Sequence, residues 1–481
     1  MKKSFLFIII TIFLVSSCNN FIEDYNIDPN GVFSDEVSAQ DMIQGVMLAN
    51  QFWQTGPASR LTMMWMNQAT GSDRQYVSLN NWNAAAATDF DNVWRTLYAN
   101  TMFHASIVHQ KALVENNPHL AGIAKVIQGQ GLGMAASLWG DVPFSQAFDY
   151  QSFPNPSYDA QASAYDAAQI VLDEAIVLLS TSTSVPVFSD ITTDLYYEGN
   201  VSRWIELAHS YKARFYLHNK DYVKANAEAL LGISNATGDF KAQFNNELGG
   251  KNPYFQFMKD DRVGYLTAKN AYGWQLLKPG QDNYRGHSKT KEHLRVLYNY
   301  KNTNDGEKAD LAFTTSESKF AEASNMPLMT WGEMMLIQAE YQARTNGLSA
   351  GVIAYNTYRA ALRTGYSIGV NDDCWGNPGA CNSRYEDFVD ADFAAGGLEN
   401  TDGIDDLQAL IREIYEERYV YFIGNFEAFT DYRRTNNVAE IQMRSFDDTP
   451  QRFLYPQAEV NSNSNIPSPI PDVSVATPIH N

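Results

Sequence analysis

Residues 411–434, IREIYEERYVYFIGNFEAFTDYRR, set the strongest limit on what this chain can fold into. Ile411, Ile414, Tyr415, Tyr419 and Phe422 recur at three- and four-residue spacing, so they share one face of a helix. Arg412, Glu413, Glu416, Glu417 and Arg418 mostly fill the other face, and Arg412 and Glu416 stand one turn apart, placed to pair. Gly424 and Asn425 then break the period, as a helix C-terminus does. Beyond them Phe426, Phe429 and Tyr432 interleave with Glu427, Asp431, Arg433 and Arg434. That mixture predicts a structural junction in which guanidinium groups stack on rings and pair with carboxylates.

Helical periodicity recurs over much of the chain. It predicts a helix over about 38–52, further helices over 93–138 with a break at Asn116-Asn117-Pro118, and another over 165–179. Trp204-x-x-Leu207-Ala208-x-x-Tyr211 matches the first helix of a tetratricopeptide unit, and Asp221-Tyr222-x-x-Ala225 opens a second helix after it. Residues 331–345 and 350–363 form a similar pair joined by Asn346-Gly347. The units are unevenly spaced, so a regular superhelix is excluded and insertions must interrupt the scaffold. Gly129, Gly131 and Gly133 miss the G-x-G-x-x-G spacing and follow no strand, which predicts close helix packing and no dinucleotide loop.

The insertions read as residues 55–92, 233–326 and 365–403, with helical repeats within 93–232 and 328–434. Aromatic residues are dense in them, which argues against disorder. Candidate ligand-binding residues are Asp73, Arg74, Tyr76, Asn81 and Trp82, then Trp274 and Tyr284, then Trp375. The physical reason is that a sugar presents apolar C–H faces edged by hydroxyls, so exposed rings beside amide or charged groups suit it. The expectation is that at least two of Trp82, Trp274 and Trp375 share one exposed face. The alternative is that each ring is buried under its own loop.

The N-terminus carries a targeting signal. Lys2 and Lys3 precede an apolar run over 5–15, too short to span a bilayer, which ends Leu14-Val15-Ser16-Ser17-Cys18. Small residues before a cysteine resemble a lipobox, which makes residues 1–17 a lipoprotein signal peptide, Cys18 the lipidated mature terminus, and 18–37 a tether. An ordinary secretory signal with an incidental cysteine is the alternative. Cys374 and Cys381 bracket a turn-rich hexapeptide, where a local disulfide suits an exported protein and a free thiol pair is the other option. A formal charge of −20 argues against nucleic acid as a partner.

No H-E-x-x-H, P-loop or C-x-x-C occurs. His104 and His109 are poorly spaced to share a metal on one helix face, and Glu416 and Glu417 point about 100° apart, unlike a glycosidase pair. Neither a catalytic residue, a metal site nor a cofactor is predicted.

Three motifs resemble the SusD/RagB family of nutrient-binding outer-membrane lipoproteins. Glu417, Arg418, Glu427, Asp431, Arg433 and Arg434, followed by Tyr455-Pro456-x-x-Glu459-x-x-x-Asn463, resemble its C-terminal signature. Leu138-Trp139-Gly140-Asp141-Val142-Pro143-Phe144 is similar to its W-G-D-[VI]-P-[YF] segment, and residues 329–340 to a helix ending in Ala339-Glu340. The resemblance implies one domain over 38–481: a mostly α, degenerate tetratricopeptide-like scaffold whose loop-rich insertions form a ligand-binding face. It implies cell-surface attachment to the outer membrane, a glycan or peptide ligand, and a TonB-dependent, SusC-like transporter as partner. A surface hydrolase and a helical adaptor are the alternatives from other classes. The W-G-D-V-P and Asp431-x-Arg433-Arg434 runs themselves are expected to be structural, the first ending a helix at a proline turn and the second forming ion pairs.

Overall fold

Several of the main helices begin where the sequence supplies a capping side chain. In the computed structural model, which describes residues 37–301, 303, 305–314, 318–368, 385–444 and 448–480, Ser38 and Asp41 cap each other reciprocally at the start of α1 (Ala39–Thr55). Next, α2 (Pro57–Trp65) places proline at its first position, where the missing N–H costs nothing. A π-helical turn, Thr96–Phe103, leads into α3 (His104–Val114). The Asn117 side chain accepts from the Leu120 N–H at 3.1 Å to start α4 (Pro118–Trp139). Then follow α5 (Gln161–Leu179), α6 (Val201–His218) capped by Asn200, and α7 (Tyr222–Ala229) capped by Asp221. Thr330 caps α8 (Trp331–Asn346), Gly347 turns the chain into α9 (Leu348–Arg363), and α10 (Asp406–Tyr421) and α11 (Glu427–Thr435) follow, with shorter helices in the insertions and the C-terminal segment.

From α3 to α11 every helix packs on the next, and α1 lies on α3. The α7–α8 contact matters most for the architecture, because about a hundred residues separate the two helices in sequence. The intervening insertion leaves and rejoins one continuous stack. The glycines of α4 explain how tightly that stack closes. A Cβ on Gly129 would meet the Leu172 side chain of α5, and one on Gly133 would sit 2.2 Å from the Phe215 ring of α6. Trp204, Leu207, Ala208 and Tyr211 are all buried, filling the space that a small residue opens between partner helices.

Six short strands are present among the described residues: β1 (Thr70–Gly71), β2 (Val142–Pro143), β3 (Tyr158–Asp159), β4 (Phe240–Ala242), β5 (Leu266–Thr267) and β6 (Met326–Met329). They pair antiparallel as β1–β5, β2–β3 and β4–β6. The β4–β6 pair closes the base of the 233–326 insertion, and β1–β5 joins that insertion to the one at 55–92. The latter is less irregular than its composition suggests. Helix α2 lies inside it, and every residue from Ala58 to Trp65 is buried.

Two further expectations are corrected by packing. Helix α4 ends at Gly140, at φ +86°, and not at a proline turn; Pro143 instead sits in β2, paired with Tyr158. This corner is stitched to the C-terminal segment. Trp139 Nε1 donates to the Leu454 carbonyl at 2.9 Å, and the Tyr455 hydroxyl donates to the Asp141 carbonyl at 2.7 Å. Tyr158 donates to Glu459 at 2.9 Å, and Asn463 to the Pro156 carbonyl at 3.0 Å. Likewise Arg412 does not pair with Glu416. It binds Asp402 through two bonds of 2.8 Å, while Glu416 accepts from Arg285 Nε at 2.6 Å. A two-pronged match to a carboxylate in a loop outcompetes a single-pronged pair along the helix.

Candidate functional site

The candidate surface begins at the β1–β5 pair. Asn80 holds the loop after β1 by accepting from the Gly71 N–H at 2.8 Å and donating to its carbonyl at 2.7 Å. Across the pair, Ser72 N–H donates to the Tyr265 carbonyl at 2.8 Å. Arg74 adopts φ +48°, a conformation unusual for a non-glycine residue, and Asp73 accepts its N–H at 2.9 Å. The turn lifts Tyr76 onto two rings of the other insertion: Phe257, with centroids 4.9 Å apart, and Tyr265, at 6.1 Å. Beneath them the buried Arg60 guanidinium lies 4.3 Å from the Phe257 centroid. The three rings are half-buried and therefore still present area to solvent. Asp73, Arg74, Gln75, Lys259, Asp260 and Asp261 around them are exposed.

The tryptophans behave otherwise. Trp82 is 0% exposed and Trp274 1%, so the expected exposed tryptophan face does not exist. Trp82 donates to Asp448 at 3.2 Å, and Asn81, half-buried, caps the short turn that holds it. Trp274 packs with Gly306 against its ring. The physical reason is area. An indole that leaves water gains about 5 kcal/mol, more than a surface platform returns without ligand, so a loop that can fold over its own tryptophan does so. Tyr284 lies apart from Tyr76 in the contacts it makes, lining a polar cavity beside Arg285. Cys18, Cys374, Trp375 and Cys381 lie outside the described residues. Phe257 and Tyr265 were legible in the sequence as members of an aromatic-rich insertion, but only pairing of β1 with β5 distinguishes them from the other rings there.

The junction after residue 411 is interior. Glu417 takes two 3.0 Å bonds from Arg295, and Glu427 pairs with His218 at 3.0 Å and lies 3.6 Å from Arg214. Asp431 joins Arg418 and Arg434, each at 2.7 Å, and Arg434 also grips Glu340 at 2.8 and 3.1 Å. Arg433 departs from the expected pairing. It donates to the Ser137 and Gln451 carbonyls at 2.8 and 3.0 Å and stacks 4.2 Å from the Phe429 centroid, with no carboxylate within ion-pair distance among the described residues. Burial pulls its pKa down to about 10, only partly opposed by Tyr165 and Glu427. These charges bind helices to one another and are unavailable to a ligand. Among the described residues no group of three or more His, Cys, Asp or Glu could hold a metal ion, and no helix is long and apolar enough to cross a membrane.

An unevenly spaced stack of helix pairs, held by buried ion pairs and carrying irregular insertions, defines a tetratricopeptide-like helical protein with a loop-built face. A family model described as starch-binding associating with outer membrane, SusD-like, matches residues 36–456, and the chain belongs to the SusD/RagB family, a family of nutrient-binding proteins. The fold is similar to a SusD/RagB family protein from Bacteroides thetaiotaomicron VPI-5482, with TM-score 0.71 and 18% identity over 89% of this chain and 95% of that one. It is also similar to a SusD homolog from Bacteroides fragilis NCTC 9343, with TM-score 0.69 and 15% identity over 92% of this chain and 99% of that one. A chitin-binding protein aligns with TM-score 0.59 and 14% identity, over 89% of this chain and 95% of that one. No curated protein matches the sequence.

Proposed function

We propose that this protein captures a glycan on the Tyr76–Phe257–Tyr265 surface and passes it to a TonB-dependent, SusC-like outer-membrane transporter. The observation that carries the reading is the ring cluster itself. Two insertions distant in sequence meet to hold three half-buried rings with Asp73 and Arg74 exposed at their edge. Rings supply a flat apolar face for sugar C–H groups, and the charged rim supplies partners for hydroxyls. The similarity in fold to a chitin-binding protein supports glycan as the ligand class. The test is calorimetry of the purified protein against oligosaccharides and peptides. Tyr76→Ala is expected to weaken oligosaccharide binding about tenfold, near 1.4 kcal/mol, without changing the melting temperature appreciably. Unchanged affinity in a folded Tyr76→Ala protein removes this surface, and saturable binding of peptides alone makes peptide the ligand class.

Attachment to the outer membrane through lipidated Cys18 belongs to the same proposal, motivated by Lys2, Lys3, the short apolar run and the small residues before Cys18. In cell fractionation the native protein is expected in the membrane pellet and Cys18→Ala in the soluble fraction. Equal partitioning of the two proteins contradicts the anchor.

A further inference from the structure

Buried arginines in this protein are tied to acceptors: Arg214 to Glu333, Arg295 to Glu417, Arg359 to the Lys289 carbonyl, Arg434 to Glu340. Arg60, the fourth residue of α2 and only 8% exposed, is not. Among the described residues none of its three guanidinium nitrogens donates a hydrogen bond, and no carboxylate lies within ion-pair distance. Nε is shut off from solvent without a partner, whereas the two terminal nitrogens are open to it. The charge rests on the Phe257 ring, 4.3 Å from its centroid.

The fold gains little from a cation in this place. It sits near the start of a helix, the positive end of the dipole, and the first turn of α2 holds no acidic residue to offset it. One ring contact returns less than taking a guanidinium out of water costs. Its position gives the charge another use. Phe257 is one of the three rings of the Tyr76 surface, so the open end of the fork lies at the floor of that surface. Arg74 and Lys259 at the rim are exposed and also have no carboxylate within ion-pair distance among the described residues. Arg262, exposed beside them, donates to the Asp261 carbonyl. Of the acids there, Asp260 is taken by Lys251 at 2.8 Å, which leaves Asp73 and Asp261. In a chain of formal charge −20, this patch holds cations in excess.

We infer that the glycan captured on this surface carries a carboxylate, as a uronic acid does, and that the Arg60 guanidinium receives it while the sugar ring lies against Tyr76 and Phe257. This rests on the ring-surface reading above and adds the class of sugar. A planar fork meets a planar carboxylate with two parallel hydrogen bonds, a match that a neutral hydroxyl cannot make. Close to a ring and away from bulk water, that pair is stronger than it would be on an open surface. A sulfate ester offers similar oxygens, so a sulfated sugar forms a separate arm of the test.

Calorimetry of the purified protein with tetragalacturonate and tetramannuronate, each beside its methyl ester, and with a sulfated galactose tetrasaccharide tests this. The ester keeps the sugar and removes the charge. At least one of the two acids is expected to bind about tenfold or more tightly than its ester, with an affinity that falls as salt is added. Arg60→Met fills the space under Phe257 without the fork. It is expected to bring the acid down to the ester's affinity, to leave the ester's affinity unchanged, and to melt close to the native protein, since no hydrogen bond is lost. Arg60→Lys, a charge without the fork, is expected to recover only part of the preference. It carries the test should Arg60→Met fail to fold. Tyr76→Ala is expected to weaken acid and ester alike. Equal affinity for acid and ester, no saturable binding of either acid, tighter binding of the sulfated sugar than of both acids, or an undiminished preference for acid in a folded Arg60 variant overturns the carboxylate assignment. Neutral oligosaccharides that still bind in a Tyr76-dependent way would leave the ring surface standing after that failure. A Tyr76→Ala protein that binds every sugar as the native one does removes the ring surface, and this inference with it.

Discussion

Arg434→Ala lowers the stability of the folded protein by about 3–5 kcal/mol, measured by chemical or thermal denaturation. Arg434 is fully buried and holds Glu340 with one hand and Asp431 with the other, joining α8 to α11. Its guanidinium also lies 5.2 Å from the Tyr415 ring centroid. Removing it leaves two buried carboxylates short of a counter-charge. Arg344 at 3.0 Å and the Tyr415 hydroxyl still reach Glu340, and Arg418 still reaches Asp431, which keeps the loss from being larger. Arg433→Ala is expected to cost less, about 1–3 kcal/mol, because it strands carbonyl groups and no carboxylate. Ligand affinity of the folded fraction should be unchanged in both. A melt identical to the native protein's, with binding lost, would make this cluster a binding site and refute its structural role.

Stability should fall as the solution is acidified below about pH 4.5, while one buried carboxylate works in the opposite sense. Arg434 and Arg344 draw Glu340 down to about 2, Arg295 and Arg285 do the same for Glu417, and Arg214 and His218 for Glu427, in each case against the cost of burial. A folded pKa below the unfolded value of 4.5 means stability that is present above 4.5 and lost as pH falls towards 2. Together these groups carry on the order of several kcal/mol. Glu413 has the opposite sign. Raised from 4.5 to about 8 by burial, it contributes stability present below 4.5 and lost as pH climbs through 8. Thermal melts from about pH 3 to about pH 9 test both limbs. Glu413→Gln should flatten the alkaline limb and leave the acid limb in place. An identical pH profile above about pH 5 in the native protein and in Glu413→Gln contradicts the assignment.

The helices were legible because each carries its own instructions. The periodicity of residues 411–422, the Trp204–Tyr211 pattern and the Asn346-Gly347 break are local signals, and α10, α6 and the α8–α9 turn stand where those signals place them. The three motif runs identified the family for a related reason. They carry the side chains that lock helices together, so their spacing is constrained by packing. The proposed ligand surface carries no such constraint. Asp73, Arg74 and Tyr76 were recognisable by region, yet which rings of a distant insertion join them depends on a two-residue strand pair that leaves no sequence pattern.

By itself the sequence determined that this chain is a stack of uneven helical repeats with ion pairs at its C-terminal junction. Only the tertiary structure decided who partners whom. Arg412 turns from Glu416 to Asp402, Arg433 bonds carbonyls, Trp82 and Trp274 go into the core, and Tyr76 remains at the surface. The reason is range. Helix formation and capping are settled within about four residues. Burial and charge pairing are settled by whichever group arrives from elsewhere in the chain, as Asp448 does for Trp82 across 366 positions.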